Sequence, residues 1–241
     1  LSAIGGNFAV QKLINRSNLD RTIVMLLVTA VVGLCCFAAV AIMVKTGQTL
    51  YLDDLLLTSL RSPTHPDVPL GSAIALGAAR DITALGDVTV LTVVTVVTLG
   101  YCLMTRYYTA FFMVFVAVNT GDVLMVALKD IFKRQRPDIV PHLVNAAYTS
   151  FPSGHAMMSA IVYLTIGAIL ARIEPRKSVK IYLLTVFSFL PLVIGMSRVY
   201  LGVHYPSDVI AGWLAGVGWG TLSAAIVLKV SQTLKSKAHE Q

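Results

Sequence analysis

Residues 22–44 read TIVMLLVTAVVGLCCFAAVAIMV, with no charged side chain from one end to the other. A helix rises about 1.5 Å per residue, so about 20 apolar residues cross the hydrocarbon core of a bilayer. This run is long enough to span. Its apolar residues are continuous, whereas a barrel strand alternates over about ten residues. The stretch therefore predicts a transmembrane α-helix. It lacks a small-residue cleavage site, so it reads as a retained helix rather than a signal peptide.

Outward from it, five further apolar runs of spanning length follow, at about 82–104, 109–131, 155–171, 181–197 and 209–230. Composition agrees. The chain has 56% hydrophobic and only 13% charged residues, against about 25% charged in soluble domains. Its mean hydropathy is +0.76. The expected fold is all-α: one membrane-embedded domain over 1–241, a polytopic bundle of six transmembrane helices with an extracytoplasmic active site.

The net charge is +7. The basic residues lie mostly at helix ends, which argues against nucleic acid as a partner and for the bilayer. Lys12, Arg16, Arg21, Arg106, Arg172, Arg176, Lys177, Lys180, Lys229, Lys235 and Lys237 all fall on one side when the spans alternate. The positive-inside rule makes that side cytoplasmic, with both termini inside. Lys133, Arg134, Arg136 and Arg198 fall on the other side. Cations against the trend need a reason, and anion binding is one.

Three polar clusters meet at that outer side: 129–137, 152–155 and 197–208. Pro152-Ser153-Gly154-His155 opens the fourth span. A helix start has free N–H groups and positive partial charge, and glycine lets a ligand approach the backbone. Phosphate binding there and simple capping by Ser153 are both open readings. In the third cluster, the Arg198 fork suits phosphate oxygens. Asp208 can hold one nitrogen of His204 and leave the other to attack; a purely structural His–Asp pair is the alternative. Lys129 and Arg136 offer two more cations, or an ordinary basic juxtamembrane segment. Asp122, seven residues before Lys129, is expected to form an ion pair that positions it.

Other features read as structural. Cys35, Cys36 and Cys102 sit in apolar runs without metal-ligand spacing. Gly212, Gly216 and Gly220 form a small-residue row for close helix packing. Pro191 is expected to kink the fifth span. Residues 51–61 carry Leu52, Leu55, Leu56 and Leu60 at helical spacing and predict an amphipathic interfacial helix, either a plain anchor or a guide for a lipid. His142 reads as an exposed bystander.

The order and spacing resemble the type 2 phosphatidic acid phosphatase family of integral-membrane lipid phosphatases. That family's pattern is K-x6-R-P, then P-S-G-H, then S-R-x5-H-x3-D. Every specified position is present: Lys129, Arg136, Pro137, Pro152, Ser153, Gly154, His155, Ser197, Arg198, His204 and Asp208. The resemblance covers the C-terminal half, and the first third matches only in general character. It implies that His204 attacks phosphorus and becomes a phosphohistidine. It implies that Asp208 orients His204, and that His155 protonates the leaving oxygen and then activates water. Lys129, Arg136 and Arg198 would hold the phosphate oxygens, assisted by Ser153 and the Gly154 N–H. It implies no metal and no cofactor.

The expected function is hydrolysis of a phosphomonoester or pyrophosphate on a membrane lipid, at the outer face of a bacterial inner membrane. Diphosphorylated polyprenol, phosphatidylglycerophosphate, phosphatidic acid and lipid A phosphate all fit. A phosphotransferase using the same intermediate is the alternative within enzymes. A vanadate-dependent haloperoxidase shares the anion-site pattern but is soluble. A lipid or anion transporter would need charge along a path through the bilayer, and here charge gathers at one mouth. Oligomeric state has no signature in the sequence.

Overall fold

The computed structural model describes residues 2–65, 67–146 and 149–237, and the side chains of all of these except 2–17 and 235. Regular structure among them is helical, apart from one isolated bridge between Arg61 and Pro69. The helices are α1 (Ser2–Lys45), α2 (Leu50–Ser59), α3 (Ala73–Ala84), α4 (Val88–Met104), α5 (Tyr108–Phe132), α6 (Gly154–Ile173), α7 (Lys177–Tyr200) and α8 (Pro206–Lys237). Within α1, residues Asn18–Lys45 are long and apolar enough to cross a membrane, and so are α5, α6, α7 and residues Pro206–Leu234 of α8. The bent pair α3 and α4 meets the same length and composition only when taken together, which makes six spans if the pair crosses as one. The protein is an all-helical, multi-pass membrane protein.

The second span departs from expectation. A single helix over 82–104 was expected, after an outer loop running to Asp81. Instead α3 begins at Ala73, and the chain bends by 47° between α3 and α4. The break falls at Leu85-Gly86-Asp87, where Asp87 takes the extended backbone of a helix N-cap. Gly86 permits the close packing there. A Cβ on it would lie 2.5 Å from Ile194 Cγ2 and 3.1 Å from His155 Cδ2. The segment thus bends where it meets α6 and α7.

Helix α6 is the hub. In its most apolar stretch 67% of residues are buried in protein, against 17% for α1, α5 and α7, whose outer faces are left for lipid. Met157 and Ile161 pack with Ala117 of α5 and Ala215 of α8. Val162, Tyr163 and Ile166 pack with Leu91 of α4 and Ile194 of α7. Helix α8 approaches α6 backbone to backbone. A Cβ on Gly212 would lie 2.7 Å from the Ser153 carbonyl oxygen, and one on Gly216 would lie 2.6 Å from that of Met157. Gly220, the third of the row, has nothing closer than 3.7 Å. Only the first two glycines of the row stand too close to α6 to carry a side chain.

At the end where α5 and α7 finish and α6 and α8 begin, Phe151 is completely buried. Its ring lies 6.0 Å from that of Phe37 and 4.7 Å from that of Phe132. This aromatic plug holds the loop that carries Ser150 and Ser153 against α1 and α5.

Candidate active site

The three polar clusters converge at this end of the bundle. The Ser153 N–H donates to the Asp208 carbonyl (3.0 Å), joining the second cluster to the third. Arg136 donates to the Val203 carbonyl (2.6 Å) and lies 3.2 Å from His204 Nε2, joining the first to the third. Lys129 Cε lies 3.7 Å from where a Cβ on Gly154 would stand, joining the first to the second. Three segments far apart in sequence are brought together because α5, α6, α7 and α8 all end or begin here.

His204 sits in the turn between α7 and α8 and is 2% exposed. Its Nδ1 is 3.5 Å from Asp208 Oδ2 and 3.3 Å from Ser150 Oγ. Ser150 Oγ donates to that same carboxylate oxygen. The carboxylate and the bridging hydroxyl favour a proton on Nδ1, which leaves the Nε2 lone pair facing the Arg136 guanidinium. Burial pushes the His204 imidazole down to about 3, the nearby Asp208 opposes this, and the charges of Arg136 and Arg198 add to it. The ring is therefore neutral at physiological pH, with a lone pair available for attack.

Asp208 is completely buried and fully engaged. Oδ2 accepts from the Tyr205 N–H (2.9 Å) and Oδ1 from Arg134 (2.6 Å). Arg134 also reaches Asp53 of α2 at 2.9 Å. Asp53 in turn accepts from the Ser207 N–H (2.9 Å) and hydroxyl (2.6 Å). Arg134 lies 4.1 Å above the Tyr205 ring. Burial disfavours its charge, but Asp208 and Asp53 outweigh this and hold the guanidinium above its usual value.

The remaining predicted residues surround this centre. Lys129 Nζ donates to the Thr149 carbonyl (2.7 Å). Arg198 is buried and donates to Thr83 Oγ1 (3.0 Å), while its Nε has no hydrogen-bond partner. Ser153 stands at the N-cap of α6, yet its hydroxyl makes no capping bond and is likewise buried without a partner. Simple capping does not explain it. Buried donors without partners are costly, and these two lie in the second and third polar clusters, where an anion would give them acceptors. His155 Nε2 lies 2.8 Å from Asp87 Oδ1.

One expectation fails. Asp122 is exposed and, among the described residues, forms no ion pair with Lys129. Seven residues are about 10.5 Å along a helix, too far for direct contact even on a shared face. Most of the segment 51–61 lies in helix α2, Leu50–Ser59. Asp53 and Leu57 face inward, while Leu52, Leu55 and Leu56 are exposed.

Sequence reading missed Asp53, Asp87 and Ser150, and it counted Arg134 only among the cations suited to an anion, whereas Arg134 bonds Asp208 and Asp53. For two of the missed residues a signal existed. Asp87 follows a glycine inside an apolar span, a helix-break and N-cap signature. Asp53 lies four residues before Leu57, on the face that turned out to be buried. Among the described residues, no group of three His, Cys, Asp or Glu side chains is gathered as a metal site.

The chain belongs to the PAP2 superfamily, whose model matches residues 106–232, more than half of its length. It is 35% identical over 108 residues to phosphatidylglycerophosphatase B of Bacillus subtilis, covering 44% of this chain and 52% of that protein. It is 38% identical over 126 residues to a lipid A 1-phosphatase of Rhizobium etli, covering 47% of this chain and 48% of that protein. The chain thus spans about half the length of the curated relatives it matches. A crystal structure of a transmembrane PAP2-type phosphatidylglycerolphosphate phosphatase from Bacillus subtilis superposes with a TM-score of 0.71 at 26% identity. That match covers 81% of this chain and 94% of that one.

Proposed function

We propose that this protein is a lipid phosphatase that works through a phosphohistidine. The observation that carries the reading is His204. Its Nδ1 is held by Asp208 and Ser150, and its Nε2 is turned toward the Arg136 guanidinium. The two relatives are named as phosphatases of lipid phosphates, which fits that geometry.

In this reading Lys129, Arg136 and Arg198 neutralise the phosphate oxygens, and the Ser153 hydroxyl and Gly154 N–H complete the cradle. The unpartnered Arg198 Nε and Ser153 Oγ then gain the acceptors they lack. Cations preorganised in a buried site stabilise charge on the transferring group. His204 Nε2 attacks phosphorus, the P–O bond to the lipid breaks, and His155 gives its proton to the leaving oxygen. Asp208 supports the positive charge on the phosphorylated ring. His155 then takes a proton from water as that water attacks. The P–N bond breaks, inorganic phosphate leaves and His204 is restored.

The substrate is a phosphomonoester or pyrophosphate on a membrane lipid, such as phosphatidylglycerophosphate, phosphatidic acid, an undecaprenyl diphosphate or a lipid A phosphate. The site opens on the extracytoplasmic side of a bacterial inner membrane, with both termini cytoplasmic. No metal or other cofactor takes part. Phosphate release by purified protein in excess chelator, measured across a panel of lipid phosphates, tests this. Release should survive chelation and should vanish in a folded His204→Ala variant. Substantial release by that variant would overturn the covalent mechanism. Transfer of phosphate to an added acceptor lipid, in place of water, would mark a phosphotransferase.

A further inference from the structure

The stretch Thr83–Asp87, around the break between α3 and α4, is tied to α6 and α7 at four residues. Thr83 accepts from Arg198 at 3.0 Å. The Leu85 carbonyl accepts from the Tyr163 hydroxyl of α6 at 2.8 Å. Gly86 packs against Ile194 and His155 too closely to carry a side chain. Asp87 then meets His155 Nε2 at 2.8 Å.

Asp87 also forgoes an alternative. An aspartate at a helix N-cap ordinarily accepts a hydrogen bond from the first turn. Asp87 is the N-cap of α4, yet its side chain makes no capping bond. The carboxylate reaches across to another helix instead. A carboxylate only accepts, so Nε2 of His155 carries the proton between them. That assigns the tautomer: Nε2–H is spoken for, and Nδ1 is the nitrogen on which a proton comes and goes.

We propose that Asp87 is a positioning residue for His155, holding its ring and tautomer so that Nδ1 delivers the proton to the leaving oxygen. It lies outside the three clusters that carry the phosphate chemistry. With His155 protonated, Nε2–H stays bonded to Asp87 while Nδ1–H passes to the oxygen of the departing alcohol or phosphate as the P–O bond breaks. The Nδ1 lone pair then accepts a proton from the attacking water, and the cycle closes with no net change in Asp87. The negative charge of Asp87 also offsets the imidazolium beside Arg198 and Arg136. This inference rests on the proposed reading of His155 as the acid.

The test separates the two. Asp87→Asn keeps the shape and removes the charge, and Asp87→Ala is a second variant. Neither disturbs a cap, because none is made. kcat/KM is measured for wild type, both variants and His155→Ala on two substrates: a lipid alkyl phosphate, whose leaving oxygen needs a proton, and nitrophenyl phosphate, whose leaving group does not. Assistance by a general acid is worth about 10²–10⁴ in rate, so loss of its positioning should cost about 10- to 100-fold on the alkyl phosphate. The cost on nitrophenyl phosphate should stay below about threefold. A merely structural role would lower both alike and would overturn the proposal. A rise in rate would show that Asp87 occupies the leaving oxygen's place, which overturns it too. If His155→Ala discriminates between the substrates and the Asp87 variants do not, the positioning role fails and the acid role of His155 stands. If His155→Ala shows no discrimination, the reading of His155 fails, and the inference falls with it.

Discussion

Arg134 joins two carboxylates that are almost wholly hidden from solvent, Asp208 of α8 and Asp53 of α2, at 2.6 and 2.9 Å. Neither carboxylate would remain buried and charged without this partner. The cation bonds Asp53, Ser207 and Asp208, whereas Arg136 lies beside His204 Nε2. Arg134 holds Asp208 from behind, so that the second carboxylate oxygen is left for Ser150, the Tyr205 N–H and His204. Removing one member of a buried pair typically costs about 3–5 kcal/mol, because a buried charge is stranded. Arg134→Ala should therefore lower thermal stability in detergent by about that amount and should reduce kcat, because it strands Asp53 and Asp208 together. An unchanged melting temperature would show that water takes over the role of Arg134. None of this was legible from residue types. Arg134 stood in the sequence as one of four basic residues against the positive-inside trend, and only the packing of α2 against the start of α8 sorts it from Arg136.

At the scale of elements, close packing of α8 on α6 places the helix start that carries Asp208 against the one that carries Ser153. The small-residue row at 212, 216 and 220 is visible in the sequence, and its spacing predicts contact along one face. Which glycines are needed depends on how far the two helices run together. A Cβ at Gly216 would stand 2.6 Å from a backbone oxygen, which cannot swing aside, whereas at Gly220 the nearest atom is 3.7 Å away. Gly216→Ala should destabilise the protein by about 1–3 kcal/mol. Gly220→Ala should be tolerated within about 0.5 kcal/mol. Thermal unfolding of the pair in one detergent checks this, and equal effects would contradict the asymmetry. The bent second span is the counterpart case. Its apolar run from 82 to 104 is continuous enough to suggest one helix. The close approach of Gly86 to Ile194 and His155 puts the bend at the site, and a hydropathy pattern does not record such a contact.

For the whole molecule, the alternation of spans puts the site at the end opposite to Arg106, Arg172, Arg176 and Lys177. The proposed orientation can be checked in cells on a background lacking Cys35, Cys36 and Cys102. A cysteine at the exposed Thr64 should react with a membrane-impermeant thiol reagent from outside. One at the exposed Ser178 should react only after the membrane is opened. The reverse pattern would invert the orientation and place the chemistry on the cytoplasmic face. Long apolar faces on α1, α5 and α7 are left uncovered by protein, so the outer surface is set by the bilayer.

The sequence by itself determined the helical membrane class and the residues of the three polar clusters. Both depend on local properties: runs of apolar side chains too long to be anything but spans, and polar residue types at helix mouths in a set order. The tertiary structure decided which side chains complete those clusters. Asp53 for Asp208, Ser150 for His204 and Asp87 for His155 come from segments distant in sequence or from loops without periodicity. Each is selected by hydrogen-bond geometry within about 3 Å, a distance that only the packed bundle defines.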